Sequence, residues 1–470
     1  MWVKLKEEIK NPHPLVLMFA IVVVCVILTW ILPAGQFERV VDEETQREIV
    51  APGTYAHMDE NHPIGPWGAV LRIFSGYINA ADIIFFIIFA VSYVGVLSKI
   101  GAINALTGAI LRKLGNKDIL IIPIFMLLCG IGGTTFGMTE EVYGLIPVFM
   151  AVAIALGYDR IVGGAIIAIG TGVGFSAATF NPFTIGVASA VAEVDLVTPK
   201  LLAIRIAAFI AFEVVAIWWV MRYANKIRKV PEKSIMYGDP NALAGIDNTA
   251  PKDELMQLKF TKEQIISLLI FAAVIGGIVA GVILKGWYLQ EIAGLFIGAM
   301  LVTCIVNKMR PTDIAEHVIE GAKSCIFAPL LIGLARSVSV IMEDGYIIDT
   351  VVNFLANIVA SLPTQITAIG MLIVQNIVNF FIPSGSGQAV VMMPIMAPLA
   401  DIVGQSREIA VLAFQFGDGF SNLIWPTAVS IECGLMGIGL NKWYKFFTPL
   451  FGIFFLLECA FLILAINVGV

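Results

Sequence analysis

Glu140 and Glu141 stand side by side, and Asp418 stands alone, in stretches that otherwise carry almost no charge. A carboxylate in such surroundings has three uses: it binds a cation, it carries a proton, or it caps a helix N-terminus by accepting backbone N–H groups. Successive helical residues point about 100° apart, so adjacent glutamates on a helix cannot both face one cavity. One is expected to face a substrate or ion and the other to bond the backbone. Thr134, Thr135, Gly137 and Thr139 lie before the glutamates, and Ser421, Asn422 and Thr427 follow Asp418. Two more stretches mix hydroxyls, amides and helix breakers: Asn181, Pro182 and Thr184, and the run Ser384, Gly385, Ser386, Gly387 and Gln388. Arg336 offers a planar fork for a substrate carboxylate, or for neutralising one of the acids. Together these are the candidate substrate-binding residues. Arg205, Glu213, Glu432 and Glu458 are further ionisable residues in apolar surroundings, with structural or snorkelling roles open to them.

Other chemistries lack their residues. The 6 cysteines form no CxxC pair, and all fall in apolar runs, where they read as small packing residues. The 4 histidines, His13, His57, His62 and His317, fall in tails or loops. No Ser/His/Asp set, metal cluster or nucleotide loop appears in the spans, and GxxxxGK[ST] is absent. The expectation is a protein with no catalytic residues and no cofactor beyond a coupling sodium ion or proton.

The elements that position these groups follow from composition. The chain has 470 residues, 59% hydrophobic and 14% charged, against about 25% charged in a soluble domain. A water-soluble fold could not cover that much apolar surface. The net charge of −6 argues against a nucleic-acid partner, which needs a basic excess. Long continuous apolar runs point to membrane-spanning helices at 14–33, 82–100, 161–194, 200–222, 264–284, 288–306, 323–342, 408–438 and 446–469. The first exceeds a signal-peptide core and reads as a retained anchor. Basic residues cluster at Lys4, Lys6 and Lys10, at Arg222 to Lys233, at Lys308 and Arg310, and at Lys442 and Lys445. The loop 34–65 is acidic, with Asp42, Glu43, Glu44, Glu48, Asp59 and Glu60. The positive-inside rule then puts the N-terminus in the cytoplasm and the C-terminus outside, in the cell inner membrane. Segment 223–262, charged and rich in proline, reads as a cytoplasmic linker between a half at 1–222 and a half at 263–470.

The halves resemble each other at an offset of about 245 residues. Gly76 matches Gly321, Gly101 matches Gly345, Pro147 matches Pro394, and Arg160 matches Arg407. The triplet at Gly170–Gly172 matches Gly417–Gly419, Phe175-Ser176 matches Phe420-Ser421, and Glu213 matches Glu458. By charge, span 82–100 runs inward and span 323–342 outward, so the repeats are inverted. Inverted repeats suit alternating access around a central site, which favours a carrier over a channel or a membrane enzyme. Segments 118–157 and 364–403 are apolar at both ends and polar in the middle. Each arm has about 17 residues, roughly 26 Å of helix, which is marginal for crossing. Each reads either as two full spans joined by a turn or, the sharper reading, as a re-entrant hairpin. Segments 161–194 and 408–438 read as broken helices, since glycine and proline interrupt them at matching places. A break offers helix N-termini to anions and carbonyls to cations. Gly170, Thr171, Ser176, Asn379, Gly417 and Asp418 are the candidate positions for a sodium ion.

The tips GGTTFGMTEE and NFFIPSGSGQ, with the breaks GTGVGFSAATFNPFT and GDGFSNLIWPT, resemble the anaerobic C4-dicarboxylate carrier family of the ion transporter superfamily, over nearly the whole chain. The chain also resembles close relatives of that family, some of which exchange arginine for ornithine. The resemblance implies a homodimer in the lipid bilayer, with a scaffold part and a transport part in each protomer. It implies a site between two hairpins and two broken helices, elevator-type motion, and coupling by sodium, protons or exchange. The tips carry TTFGMTEE and SGSGQ in place of the Ser-Asn-Thr triplet of dicarboxylate/sodium symporters. The expectation is therefore an all-α polytopic secondary transporter of small carboxylate-bearing metabolites. Charge balance favours basic amino acid exchange, with a sodium- or proton-coupled C4-dicarboxylate carrier as the alternative.

Overall fold

The computed structural model describes residues 13–41, 48–196, 198–239 and 252–470. Lys4, Lys6, Lys10, Asp42, Glu43, Glu44, Pro240 and Pro251 lie outside them. Among the described residues the chain is nearly all helix. The first half holds α1 (Pro14–Ile31), α2 (Pro66–Asn79), α3 (Ala81–Lys99), α4 (Ala102–Leu114), α5 (Ile121–Phe136), α6 (Ile146–Ala155), α7 (Arg160–Ser176), α8 (Ile185–Val191) and α9 (Pro199–Lys229). The short α10 (Lys252–Gln257) leads into α11 (Lys262–Lys285), α12 (Leu289–Val306), α13 (Pro311–Cys325), α14 (Phe327–Asp344) and α15 (Ile348–Ala360). Then come α16 (Thr364–Phe381), α17 (Gly385–Ile402), α18 (Arg407–Gly419), α19 (Pro426–Met436) and α20 (Leu440–Asn467). The acidic loop after α1 contributes two small antiparallel ribbons, β1 (Gly35–Gln36) with β4 (Ala56–His57) and β2 (Arg39–Val41) with β3 (Glu48–Val50).

Among the described residues, 7 helices are long and apolar enough to cross a membrane. The pair α13 and α14, bent by 55°, makes an eighth if it counts as one span. The stretch Lys117–Phe136 is one of the 7, so by length the first arm of segment 118–157 could cross unaided. Two differences from the sequence reading have plain causes. Helices α2, α4 and α15 are short and amphipathic, so a search for long apolar runs passes over them. Helix α9 continues through Lys229, past the expected boundary at 222, because no breaker occurs before Pro231.

Contacts between the halves are reciprocal. Helix α2 lies on α14, and α13 lies on α3. Gly76 backs so closely onto Ser337 that a Cβ there would come within 2.6 Å of its backbone nitrogen. Gly321 backs onto Ser92, with a Cβ 2.5 Å from its Cα. Ser92 and Ser337 are separated by the same interval as the two glycines. The broken helices behave alike: a Cβ at Gly172 would meet Leu423 at 2.6 Å, and one at Gly419 would meet Ser176 Cα at 2.4 Å. Each half presents a bare backbone to the other at matching positions, as a two-fold relation between them would require.

Within each half, both arms of the interrupted segment pack on the broken helix that follows: α5 and α6 on α7, α16 and α17 on α18. Phe212 anchors the centre, with ring contacts to Phe416, Phe420, Phe454 and Phe461, where α9, α18 and α20 meet. The broken helices start at matching side-chain caps. Asp159 accepts from Val162 N at 3.0 Å, and Ser406 accepts from Ile409 N at 3.2 Å. Asp159 also accepts from Tyr223 Oη at 2.6 Å and Ser234 Oγ at 2.7 Å, which ties α7 to the end of α9 and the chain beyond it. Burial pushes the Asp159 carboxyl above the usual carboxylate range, against the pull of these hydrogen bonds.

Candidate functional site

The first tip is closed by Gly137, which ends α5 at φ +75°. A Cβ there would be strained and would lie 2.4 Å from Asn181 Oδ1, so only glycine fits. Beside it, Thr134 Oγ1 donates to Ala177 O at 2.6 Å, and Thr134 O accepts from Thr179 N and Phe180 N at 2.8 and 3.0 Å. Thr135 donates to Ile131 O of its own helix. The tip is thus stitched to the break between α7 and α8. In that break Pro182 ends the helical run. Asn181 Oδ1 accepts from Phe183 N at 2.9 Å and Thr184 N at 3.3 Å, restarting the chain as α8. Buried Arg205 supports the same break by donating to the carbonyls of Thr179 and Leu196.

The two glutamates divide their work. Glu141, buried, accepts from Thr139 N at 2.8 Å, while Thr139 Oγ1 donates to Gly137 O. Glu140, half-buried, accepts from Tyr288 Oη at 3.3 Å. The charges acting on it are those of Glu141, Asp82 and Glu432, all acids.

The second tip builds a separate centre around Asp418, which is fully buried. Asn379 Nδ2 donates to Asp418 Oδ1 at 2.6 Å, and Asn422 Nδ2 and Ser421 Oγ donate to Asp418 O at 2.6 and 2.9 Å. Gln388 Nε2 donates to Gln375 Oε1 at 2.7 Å, and Gln415 Nε2 to Phe175 O at 2.6 Å. Ser384 caps α17, accepting from Gly387 N at 3.3 Å. Gly385 sits where a Cβ would lie 2.4 Å from Thr184 Cγ2 and 3.1 Å from Asp418 Oδ2. The first break therefore touches both centres: Thr184 meets the second tip, and the Phe183 ring lies 5.9 Å from that of Tyr288. Ser386 is half-buried beside Gly387, and Thr427, one residue into α19, is buried with its hydroxyl unpaired.

Arg336 is not brought to the acids. It is half-buried on α14, one turn before Ser339, whose Oγ donates to Phe381 O at 2.8 Å where the second tip begins. Its charge acts on Glu343, two turns further along the same helix. The candidate sodium positions also divide. Thr171 and Ser176 donate to carbonyls of their own helix, and Gly170 and Gly417 are packing glycines. Asn379 Oδ1 and Asp418 Oδ2 are buried oxygens with no donor, which suits a hard monovalent cation. Among the described residues no group of three or more His, Cys, Asp and Glu side chains is placed to hold a metal. Residues outside the sequence-derived set also enter: Gln375 and Gln415 at the second centre, and Asp82, Tyr143, Tyr288 and Glu432 at the first. Gln375 was signalled by its polarity within an apolar helix; nothing in the sequence around Tyr288 singles it out.

Comparison with known proteins agrees with a carrier. The profile of the C4-dicarboxylate anaerobic carrier family, DcuC, matches residues 12–467. YfcC of Escherichia coli (strain K12), named as a proposed basic amino acid antiporter, is 30% identical over 95% of this chain and 94% of its own. An uncharacterised protein of Haemophilus influenzae is 27% identical over 99% and 98%. The crystal structure of the Alcanivorax borkumensis YdaH transporter aligns with 98% of this chain and 99% of its own at 15% identity, with a TM-score of 0.40. With its family profile matched nearly end to end, this multi-pass membrane protein is a carrier of small molecules, not an enzyme, and belongs to the C4-dicarboxylate anaerobic carrier family.

Proposed function

We propose that the carrier exchanges basic amino acids, arginine against ornithine, across the cell inner membrane. The observation that carries this reading is the charge of the centre. Glu140 is flanked by Glu141, Asp82 and Glu432, and Asp418 lies at the other tip. Burying unpaired charge is costly, so the loaded site should be near neutral. A zwitterion with an extra positive group achieves this by giving its carboxylate to Arg336 or to the α17 N-terminus and its cation to a glutamate. The name given to YfcC supports the same choice.

The mechanism we infer is alternating access of the elevator type. The two halves act as inverted repeats, segments 118–157 and 364–403 as re-entrant hairpins, and the protein as a homodimer with a cytoplasmic N-terminus and an external C-terminus. Reciprocal packing of Gly76 with Ser337 and Gly321 with Ser92 supports the repeat. The second reading is a sodium- or proton-coupled C4-dicarboxylate carrier. The family's description favours it, and so do the unpaired oxygens of Asn379 and Asp418, which could hold the coupling cation.

Proteoliposomes preloaded with ornithine are expected to take up labelled arginine without a sodium gradient. Sodium- or proton-driven uptake of succinate or malate, with no arginine counterflow, would replace the first reading by the second. Topology is tested with an impermeant thiol reagent on single cysteines. Thr135→Cys and Ser386→Cys should label from opposite sides, and full labelling of Thr135→Cys from outside in every condition would make segment 118–157 two complete spans.

A further inference from the structure

We propose that Glu432 and Glu140, with the hydroxyls of Tyr143 and Tyr288, form the subsite that takes the cationic end of the substrate, a guanidinium or ammonium group. This rests on the exchange reading and deepens it, since it names the atoms that would tell a basic substrate from a neutral one. Four distant parts of the chain converge here: Asp82 in the first turn of α3, Glu140 and Tyr143 in the 3-10 turn Glu140–Leu145, Tyr288 just before α12, and Glu432 on α19. Tyr143 Oη donates to Glu432 Oε1 at 3.3 Å, and Tyr288 Oη donates to Glu140 Oε2 at 3.3 Å.

The carboxylates differ in what they have left to offer. Glu141 and Asp82 accept from the backbone nitrogens of Thr139 and Ile83, both at 2.8 Å. Glu432 is 7% exposed, and its Oε2 is buried with no donor at all. A buried carboxylate oxygen left unbonded is costly. Among the described residues, no lysine or arginine forms an ion pair with any of the four acids. A guanidinium brings five N–H donors in a fork, and an ammonium three, which matches what the acids lack. Each tyrosine hydroxyl already donates to a carboxylate, so its lone pairs can accept from the same cation. Tyr288 is 45% exposed and leaves its side of the cluster open, while Glu432 lies at the closed end. From there the first break leads toward the second tip: Phe183 touches Tyr288, and Thr184 touches Gly385 at the α17 N-terminus. A substrate carboxylate would meet helix N–H groups there.

The experiment compares labelled arginine with its neutral isostere citrulline in ornithine-loaded proteoliposomes, for the wild type, Glu432→Gln, Tyr143→Phe and Tyr288→Phe. Glu432→Gln should weaken apparent arginine affinity by about tenfold to a hundredfold, the size expected for hydrogen bonds to a charged group, and should bring arginine and citrulline close together. Tyr143→Phe should act in the same direction by a few fold; it removes one hydroxyl, so it serves as the test if Glu432→Gln fails to assemble by size-exclusion chromatography. A wild type that exchanges arginine, beside variants that keep its full preference over citrulline, would overturn the subsite and leave the exchange reading standing. A Glu432→Gln variant that keeps that preference and loses only the pH dependence of transport would also overturn it, giving Glu432 to a proton. A wild type that takes no arginine would overturn both.

Discussion

At the second tip, Asn379, Ser421 and Asn422 all donate to Asp418, and Gln375, Gln388 and Gln415 brace the helices around it. There the carboxylate accepts from Asn379 through Oδ1 while Oδ2 is buried without a donor, and Ser421 and Asn422 hold the backbone carbonyl of the same residue. At the first tip the side chains meet fewer partners. Glu140 and Glu432 each accept from one tyrosine, other acids press on Glu140, and Tyr288 leaves the cluster open on one side. The two centres follow matching turns in the two halves, yet one is a braced lattice and the other an acidic pocket. Close approach of backbones at Gly76, Gly321, Gly172 and Gly419 sets where polar groups can meet. It does not set which polar groups meet there. In our reading the braced centre holds the moving parts in register and receives the carboxylate end, while the acidic centre selects for charge.

The largest effect that would sharpen this contrast belongs to the braced centre. Asp418→Asn removes the buried charge and leaves an amide oxygen that can still accept from Asn379 Nδ2. Counterflow should fall by about a hundredfold or more, in line with losing a buried charge-assisted network. Wild-type exchange by this variant would remove the contrast. Glu140→Gln should cost less, about tenfold in apparent arginine affinity with assembly intact, because Glu140 is half-buried and loses one charged hydrogen bond. A Glu140→Gln defect larger than that of Asp418→Asn would reverse the assignment of roles. Glu141→Gln should show mainly as lower stability, by about 1 kcal/mol in the manner of a lost backbone cap. Its affinity loss should be smaller than that of Glu140→Gln, and an equal or greater loss would return Glu141 to the substrate.

The smallest effect concerns the caps that start the two broken helices. Asp159 and Ser406 do the same job in the two halves, but only Asp159 ionises. Its folded-state pKa is raised, so its contribution to stability is complete below the ordinary aspartate value of about 4 and declines as pH rises through the folded value. Asp159→Asn escapes that decline. Its melting temperature relative to wild type should climb as pH is raised from 4 toward neutrality, whereas Ser406→Ala should show a constant deficit of about 1 kcal/mol. A pH-independent difference for Asp159→Asn would show that the hydrogen bonds from Tyr223 and Ser234 cancel burial, and a difference that fell with pH would show that they outweigh it.

The polar residues around Asp418 are legible in the sequence. Asp418, Asn379, Ser421 and Asn422 declare themselves as polar residues in apolar runs, and they do meet in space. Gly137 was legible as a tip glycine, though its left-handed φ and its closeness to Asn181 were not. The pairing of the glutamates was readable as a division of labour, but not which glutamate would take which part. Arg336 shows the limit: an arginine in an apolar helix invites pairing with the acids of the tips, whereas in the structure its charge acts on Glu343 of its own helix. The amphipathic helices α2, α4 and α15 escaped notice because their apolar faces are one-sided and short.

The sequence by itself determined the membrane setting and the interval of about 245 residues at which its glycines recur. Those depend on composition and on an interval along the chain, both present in one dimension. Only the tertiary structure decided that Tyr288, Asp82 and Glu432 gather around Glu140. Those residues come from separate helices whose neighbours are set by packing across the two halves, and no local periodicity encodes which side chains of distant helices face one another. Close packing of Gly144 on Ala90 sets α3 against the turn that follows the first tip, and the Tyr143 and Tyr288 hydroxyls link that turn to Glu432 and to the chain before α12.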